Sequence, residues 1–342
     1  MKSKKKTVII VIAVILVLCI AGAFLYISSL DKALDPEAKD TKVFTIESGQ
    51  TTYDIGNNLE KEGLIKSASK FKIYSKIKGV GSKFQAGTYA VSPAMKLSEI
   101  TKMFVSGKVS TATITIPEGY TTVQIAKALD ESGVVTYDEF MEEVRNGKFD
   151  FDFVPEPDGQ DNRLEGYLYP DTYSVPMDAD AHTIIKIMLG TFDKKYREEI
   201  EPLAKKKNMS MKEVVTVASL IERECKVDSE REKIASVIYN RLDKGMELQL
   251  CSTIQYLLGE PKEFLLYSDL EIDSPYNTYK NAGLPPGPIA SPGIECLKAA
   301  VEPANTKYLY FVLDPKLDGS HRFSSDAEKF EKDKAAYSKA IS

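Results

Sequence analysis

Two glutamates near the end of one predicted helix are the residues best suited to acid–base chemistry. Ser210 and Glu213 form a capping-box pattern, which predicts a helix that begins at Met211 and runs through Cys225. Glu222 and Glu224 each extend an apolar stripe at helical spacing. A carboxyl group beside apolar side chains loses hydration, so its pKa rises toward the range that a general acid needs. Spacing alone nominates both glutamates and does not choose between them.

The alternative is that these carboxylates only pair with nearby cations. Arg223, Arg231 and Arg241 follow closely enough in the sequence to be such partners. Ser229 and Glu232 repeat the capping-box pattern and predict a second helix through Leu242 that stops near Gly245.

The sequence contains few residues that could build another kind of active site. The only two histidines, His182 and His321, are far apart in the sequence, which argues against a Ser-His-Asp triad or a His-rich metal site. Cys225, Cys251 and Cys296 have neither zinc-site nor redox spacing. These residues therefore give little support for a metal site.

The charge balance argues against nucleic acid as a ligand. The formal net charge is -5, and removing the four lysines among residues 2–6 leaves -5 - 4 = -9 for the remainder. An acidic surface of this kind repels polyanions.

The first 42 residues predict a single membrane anchor. Residues 8–27 carry no charged side chain, and a helix of that length spans the ~30 Å hydrocarbon core of a bilayer. Lysines precede the run and Asp31 is the first charge after it, which places the N-terminus in the cytoplasm. We assign a cytoplasmic tail to residues 1–6, the transmembrane anchor to residues 7–30 and a charged linker to residues 31–42. The rest of the chain is then expected outside the plasma membrane.

An internal repeat follows the linker. Residues 44–65 match residues 114–135 at an offset of 70, with a strand, a Gly-containing turn and an amphipathic helix in each copy. Thr51 or Thr52 in the first copy, and Thr121 or Thr122 in the second, are candidate N-caps. The first copy continues into a second strand over residues 85–91 and a helix over residues 97–104.

This order of strands and helices indicates an α+β fold with two extracytoplasmic parts. Residues 43–110 resemble a LysM-like α/β subdomain, and LysM modules bind glycans that contain N-acetylglucosamine. A small docking domain without sugar affinity is the alternative. Residues 111–342 form the larger mixed α+β domain, which includes the second repeat copy at residues 112–146. Its long Tyr-, Asn- and Pro-rich segments are typical of loops that line a cleft.

Six ordered motifs resemble the MltG/YceG-like endolytic murein transglycosylases. The central one is ASLIERE at residues 218–224, with EGYLYPDTY at 165–173 and ASVIYNRL at 235–242. The others are GMELQ at 245–249 with YNTY at 276–279, GLPPGPIASPG at 283–293, and YLYFV at 308–312.

The resemblance implies a lyase that cleaves the MurNAc–GlcNAc bond of nascent peptidoglycan strands and ends their elongation. In the family the first glutamate of the ASLIERE-type motif is the catalytic acid/base, and that position is Glu222. The C6 hydroxyl of MurNAc is the nucleophile, so one carboxyl group suffices and a 1,6-anhydro end results. The implied reaction requires neither a metal nor an organic cofactor. Expected partners are glycan strands and the membrane, with cell-wall synthases (penicillin-binding proteins) and the elongation machinery as further candidates.

The matching motifs also nominate cleft residues. Their side chains offer the donors, acceptors and ring faces that sugars need, although each could equally cap a turn or close a loop. The tentative substrate-binding residues are Glu165, Tyr167, Asp171, Tyr173, Gln249, Thr253, Asn277 and Tyr279.

Two departures from the family pattern concern Cys251, which stands where the family often has an acid, and a missing histidine near Phe330. If Cys225 and Cys251 both lie near Glu222, a disulfide between them is one alternative and two unpaired thiols the other.

Two competing functions remain. A hydrolase would need a second carboxylate, for which Glu165 and Asp171 are the candidates. A non-catalytic scaffold that binds glycan or synthases is the other.

Overall fold

The computed structural model describes residues 14, 15, 17–19, 21, 22, 25–107, 111–259, 262 and 265–341. Much of the predicted anchor, residues 7–30, and all of the predicted tail lie outside these residues. Within the described part of the chain, no helix is both long and apolar enough to cross a membrane. The chain divides into two compact units, residues 1–112 with 175–178 and residues 113–174 with 179–342. Both contain helices and small sheets, so the fold is α+β, as the sequence predicts.

The first unit has the element order β–α–α–β–α. Its elements are β1 (Lys42–Ile46), α1 (Thr52–Lys61), α2 (Ala68–Lys78), β2 (Gly87–Val91) and α3 (Leu97–Ser106). Strands β1 and β2 pair in antiparallel register from Lys42 opposite Val91 to Ile46 opposite Gly87. Thr51 caps α1 through a full capping box with Asp54, which confirms the predicted helix start.

The core of the first unit continues into the residues before β1. Phe44, Tyr89 and Phe104 form its aromatic centre, and Leu30 is buried in the same cluster. The Asp31 carboxylate accepts the backbone N–H of Ser98 at 2.8 Å, in the first turn of α3. The last residue of the predicted anchor and the first residue of the predicted linker therefore both contact this unit, one by apolar packing and the other by a hydrogen bond.

The second unit begins with the second repeat copy. Strand β3 (Thr111–Thr115) pairs with β4 (Thr172–Pro176), and between them lie α4 (Thr122–Glu131) and α5 (Tyr137–Asn146). Thr121 caps α4 through a capping box with Gln124, as predicted. The remaining elements are α6 (Ala181–Lys195), a π-helical turn (Tyr196–Ile200), α7 (Glu201–Lys206), α8 (Met211–Glu224), α9 (Arg231–Asp243), α10 (Cys251–Leu258), α11 (Ile294–Val301), β5 (Tyr310–Leu313), β6 (His321–Ser324) and α12 (Ala327–Ile341).

Helix α8 is the centre of the second unit. Every residue from Val214 to Ile221 is buried, and the helix packs on α11, α9, α10 and α7. The capping box of Ser210 and Glu213 forms as predicted. The helix ends at Glu224, and Cys225 is the C-cap rather than a helical residue.

The second predicted capping box is wrong. Residues 228–230 form a short 3₁₀ turn, Glu230 is the N-cap residue of α9, and its side chain makes no cap hydrogen bond. The Glu230 carboxylate is instead buried against His321, from which it accepts the backbone N–H and contacts Nδ1 at 2.8 Å. A contact between distant segments has replaced the local cap.

Arg163 is a buried cation that joins the C-terminal end of α5 to the loop at Pro155. Its guanidinium donates to the carbonyl oxygens of Val144 at 2.7 Å, Gly147 at 2.7 Å and Pro155 at 2.8 Å. Burial lowers its pKa, but an arginine still remains charged. These three carbonyls depend on one side chain.

We predict that Arg163→Ala lowers the free energy of unfolding by about 3 kcal/mol or more, because three carbonyl groups lose their donor inside the protein. Arg145→Ala is the matched control, since Arg145 is part-exposed and pairs with Asp161 on the surface, and it should cost under about 1 kcal/mol. Urea denaturation of both variants measures the difference. Equal costs would contradict the assigned role of Arg163.

Candidate active site

The last turn of α8 brings Glu222 to a half-buried position at the edge of the core. Glu222 Oε2 accepts the backbone N–H of Gly293 at 2.9 Å. Gly293 is the N-cap residue of α11, so this carboxylate lies at the positive end of a helix dipole. The thiol of Cys296, in the first turn of α11, also contacts the Glu222 carboxyl, and burial followed by the Glu222 charge raises the pKa of this thiol.

Backbone hydrogen bonds form a frame that holds the loop between β3 and α4 beside Glu222. Gly119 donates its N–H to the Ser291 carbonyl at 2.9 Å, and Ser291 donates to the Tyr120 carbonyl at 2.8 Å. Arg223 Nη1 donates to the Gly119 carbonyl at 3.1 Å. Gly119 has φ +76°, and a Cβ there would lie 3.6 Å from Glu222 Cγ. The loop between β3 and α4 is thus fixed beside the carboxylate.

This frame brings a further carboxylate, Glu118, next to Glu222. A Cβ added to Gly293 would lie only 1.9 Å from Glu118 Oε1, so the Glu118 carboxyl occupies the space that glycine leaves open. Partial burial of this carboxyl, and then the charge of Glu222, raise the pKa of Glu118. The residue as a whole is exposed, so it is open to a ligand.

The sequence analysis missed Glu118, although a signal was present in the repeat. The second copy has Glu118 where the first copy has Ser48, directly before a glycine in both. The carboxylate at this position, in the turn after β3, is a difference between the two copies that the shared repeat fold does not require.

Glu224 is directed elsewhere. Its Oε1 accepts the backbone N–H of Ser252 at 3.1 Å, in the first turn of α10. Burial raises its pKa, while the bond from Ser252 and the charges of His321 and Arg223 lower it. Glu224 therefore joins α8 to α10, and the two glutamates that spacing could not separate have different partners.

Glu165 is a buried carboxyl at the start of α4. It is 3% exposed, and it accepts the Thr122 N–H at 3.0 Å and the Tyr256 hydroxyl at 3.4 Å. Burial raises its pKa to about 7, against a smaller lowering by these hydrogen bonds. It lines two cavities, of about 460 and 440 Å³, and Arg223 lines the second.

The three candidate tyrosines differ in their burial and in the partners of their hydroxyl groups. Tyr167 is buried against Phe153 and lines the 460 Å³ cavity. The Tyr173 hydroxyl donates to the Tyr169 carbonyl. The Tyr279 hydroxyl lies 3.1 Å from Cys251 Sγ.

Two of the candidate side chains, Thr253 and Asn277, already have hydrogen-bond partners inside the protein. Thr253 and Asn277 are buried, and their side chains bond to the Leu250 carbonyl and to the carbonyls of Leu270 and Ile272. This geometry favours a structural role for both.

Gln249 and Asp171 are exposed instead. Gln249 has φ +49° and donates to Glu247 at 3.1 Å. The Asp171 carboxylate accepts the N–H of Thr172 at 2.7 Å. Among the described residues, neither Glu165 nor Asp171 hydrogen-bonds to Glu222, whereas Glu118 lies beside it.

The cysteines are free thiols in the described residues, so the disulfide alternative is not realised. Cys225 Sγ contacts the Val227 carbonyl and Cys251 Sγ contacts the Tyr279 hydroxyl. Within the same part of the chain, no group of three or more His, Cys, Asp or Glu side chains could hold a metal ion.

The raised pKa of Glu165 makes stability depend on pH. Below pH 4.5, the ordinary pKa of a glutamate, the Glu165 carboxyl is protonated in both the folded and the unfolded protein. Between pH 4.5 and about 7 only the folded protein keeps this proton. The folded state binds more protons in this window, so stability falls as pH rises through it, by roughly 3 kcal/mol at most. We predict that Glu165→Gln flattens this fall, because the amide can accept from Thr122 and donate to Tyr256. Urea denaturation between pH 4.5 and 7.5 measures it, and an unchanged slope would contradict the assignment.

Known proteins are similar to this chain in both sequence and fold. A model described as the YceG-like family matches residues 44–336. An "Endolytic murein transglycosylase" of Bacillus subtilis is 39% identical over 332 residues, which cover 94% of this chain and 91% of that protein. A protein of the same name from Streptococcus pneumoniae is 33% identical over 365 residues, which cover 98% of this chain and 66% of the relative. A crystal structure of a YceG-like protein from Listeria monocytogenes aligns with a TM-score of 0.58 at 37% identity, over 86% of this chain and 99% of that one. The chain therefore belongs to the YceG-like family, as its motifs predict.

Proposed function

We propose that this chain is an endolytic peptidoglycan lytic transglycosylase in which Glu222 is the catalytic acid and base. The observation that carries the proposal is the position of the Glu222 carboxyl, half-buried at the N-terminus of α11 and bonded to Gly293 N–H. The relatives named endolytic murein transglycosylase support the reaction class.

The reaction needs one proton-transferring group. Glu222 gives its proton to the oxygen that links MurNAc C1 to GlcNAc, and the C1–oxygen bond breaks with its electron pair going to that oxygen. The C6 hydroxyl oxygen of the same MurNAc then bonds to C1 and gives its proton to the Glu222 carboxylate. The enzyme is restored, no water is consumed and a 1,6-anhydro end remains. The nucleophile belongs to the substrate, so it is already held close to C1.

A hydrolase is the second candidate, because a second carboxylate is present beside Glu222. That carboxylate is Glu118, rather than Glu165 or Asp171 as the sequence suggested. In a hydrolase it would act on water or on C1. The names of the relatives favour the lytic reaction.

We further propose that the first unit is a LysM-like glycan-binding module. Its β–α–α–β order with an antiparallel β1–β2 pair supports this assignment. In this proposal residues 43–110 hold a glycan strand that residues 111–342 cleave. Docking to a protein without sugar affinity is the alternative for this unit.

The candidate substrate-binding residues fall into two groups, those whose side chains are free to contact glycan and those whose polar atoms already have partners. Glu165 and Tyr167 line cavities, and Asp171, Gln249 and Tyr279 have exposed or half-exposed side chains. Each of these five could contact glycan. Tyr173, Thr253 and Asn277 are expected to shape the cleft rather than to bind in it, because their polar atoms are already bonded.

A single-pass plasma-membrane location is also proposed, with the N-terminus in the cytoplasm and residues 31–342 outside. The charge-free run of residues 8–27 and the lysines before it support this topology. Leu30 and Asp31 pack onto the first unit, which would hold that unit close to the bilayer. Such a position suits newly made strands, with synthases and the elongation machinery as neighbours.

We predict that Glu222→Gln abolishes cleavage of purified glycan strands, at least a thousandfold, because no other group is proposed to protonate the leaving oxygen. Glu224→Gln is the matched control and should keep a substantial fraction of the activity. Both variants should remain folded by circular dichroism. The reverse pattern, with Glu224 indispensable and Glu222 dispensable, would refute the assignment.

We also predict that cells lacking the protein make longer nascent strands, because internal cleavage near the membrane ends their growth. Pulse-labelled glycan, sized by chromatography with and without the protein, measures this. Complementation should require both the segment of residues 1–30 and Glu222. Unchanged strand length would count against the nascent-strand role but not against the cleavage chemistry.

A further inference from the structure

Arg223 is a half-buried cation without a carboxylate partner among the described residues. Its Nη1 donates to the Gly119 carbonyl at 3.1 Å, which is its hydrogen bond within the described part of the chain. A guanidinium carries a planar fork of several N–H donors. Most of the donors of Arg223 therefore remain available to a ligand.

Other cations of the second unit differ from Arg223 in this respect. Arg231, at the start of α9, pairs with Asp228 at 2.9 Å. Lys298, on α11, pairs with Glu295 at 3.2 Å. The charges of these two side chains are neutralised within the protein, whereas that of Arg223 is left for something else.

Arg223 lines the cavity of about 440 Å³ described above, all of which belongs to the second unit. A cavity of this volume is in the range of sites that hold small organic groups. Its wall also carries polar side chains and one ring that suit a sugar substituent or a short peptide, namely Gln124, Gln160, Asn162 and Tyr256.

The two acids that line this cavity already have partners. Asp161 accepts from Arg145 at 2.7 Å, and Glu165 accepts the Thr122 N–H at 3.0 Å. Neither forms an ion pair with Arg223. A guanidinium that faces a cavity without such a pair favours an anionic ligand, and its planar fork matches a carboxylate.

The position of Arg223 relative to Glu222 indicates which part of the substrate carries this anion. Consecutive residues of a helix point about 100° apart, so Arg223 is directed away from the α11 N-terminus to which Glu222 is bonded. Both side chains still contact the same glycine, because Glu222 Cγ lies 3.6 Å and Arg223 Cδ lies 3.9 Å from the point where a Cβ of Gly119 would be. Arg223 is therefore placed for a substituent next to the reacting bond rather than for the bond itself.

We propose that Arg223 binds a carboxylate carried by the C3 substituent of the MurNAc whose bond is cleaved, with the cavity holding the rest of that substituent. This inference rests on the proposed function of Glu222 and states what the same site selects. The substituent is a lactyl ether, which ends in a free carboxylate in bare strands and continues into an acidic peptide in peptide-bearing strands. GlcNAc has no such group, so the contact determines which of the two sugars lies beside Glu222.

The test compares kcat/KM of the full chain in detergent on strands whose carboxylates are intact or converted to neutral methylamides. Bare strands and peptide-bearing strands, the latter with their amino groups first acetylated, separate the two sources of carboxylate. On at least one strand type, amidation should lower the wild-type value about tenfold, as a lost charge-assisted bond does. Arg223→Gln should cleave the intact strands of that type about tenfold more slowly and should no longer distinguish them from amidated ones.

Lys298→Gln is the matched control, because it removes a cation that already has a carboxylate partner. It should keep the wild-type preference for intact strands. Arg223→Lys keeps the charge but loses the planar fork, so it should retain only part of that preference.

A wild-type protein that cleaves intact and amidated strands of both types equally well would overturn the proposal. So would an Arg223→Gln variant that is slower on all strands but keeps the wild-type preference, which would limit Arg223 to its bond with Gly119.

Glu222→Gln on the intact strands separates these failures from a failure of the proposed function. If Glu222→Gln is inactive and the preference does not depend on Arg223, only the carboxylate contact is wrong. If Glu222→Gln remains active, the proposed function is wrong.

Discussion

The second unit depends on one constraint: α8 must be buried along its length and still present a carboxyl group at its end. Residues 214–221 are buried without exception, so the helix cannot shift or rotate without opening the core. Its last turn is consequently held rigidly, and Glu222 reaches a half-buried edge at which α11 begins. The packing of α8 on α11 and the bond from Gly293 to Glu222 are therefore two consequences of one arrangement.

The same constraint explains why two glutamates in one motif have different hydrogen-bond partners. Residues two apart on a helix point about 200° away from each other, so a buried helix directs them to different neighbours. Glu222 is directed to the N-terminus of α11 and Glu224 to the N-terminus of α10. Each carboxylate thus meets backbone N–H groups at a helix start, where negative charge is stabilised. Only the site at Glu222 has a second carboxyl group beside it.

Local features of the fold could be predicted from the sequence, because local bonds produce them. The caps at Thr51, Thr121 and Ser210 form as predicted, and both repeat copies have the expected strand and helix. The prediction at Ser229 was wrong because the buried pair of Glu230 with His321, 91 residues apart in sequence, takes the place of a local cap. Periodicity carries no information about such partners.

The candidate site shows the same limit. Glu222 was predicted from its motif, but Glu118 is brought to it by backbone bonds between residues about 170 apart in the chain, from Gly119 to Ser291. The sequence also left the roles of Thr253 and Asn277 undecided. Their side chains donate hydrogen bonds to carbonyl groups in loops, and residue spacing does not predict where those carbonyl groups lie. The motifs predicted the reaction, whereas the neighbours of Glu222 are determined by tertiary contacts.

In the proposed reaction the sugar's own hydroxyl, rather than water, attacks C1 once Glu222 has protonated the leaving oxygen. Digestion of purified glycan strands in water enriched in heavy oxygen, followed by mass spectrometry of the new ends, tests this directly. We expect MurNAc ends that carry no heavy oxygen and are lighter than hydrolysis products by one water. New reducing ends that carry the heavy isotope would contradict it, and would make Glu118 and Glu222 the two carboxylates of a hydrolase.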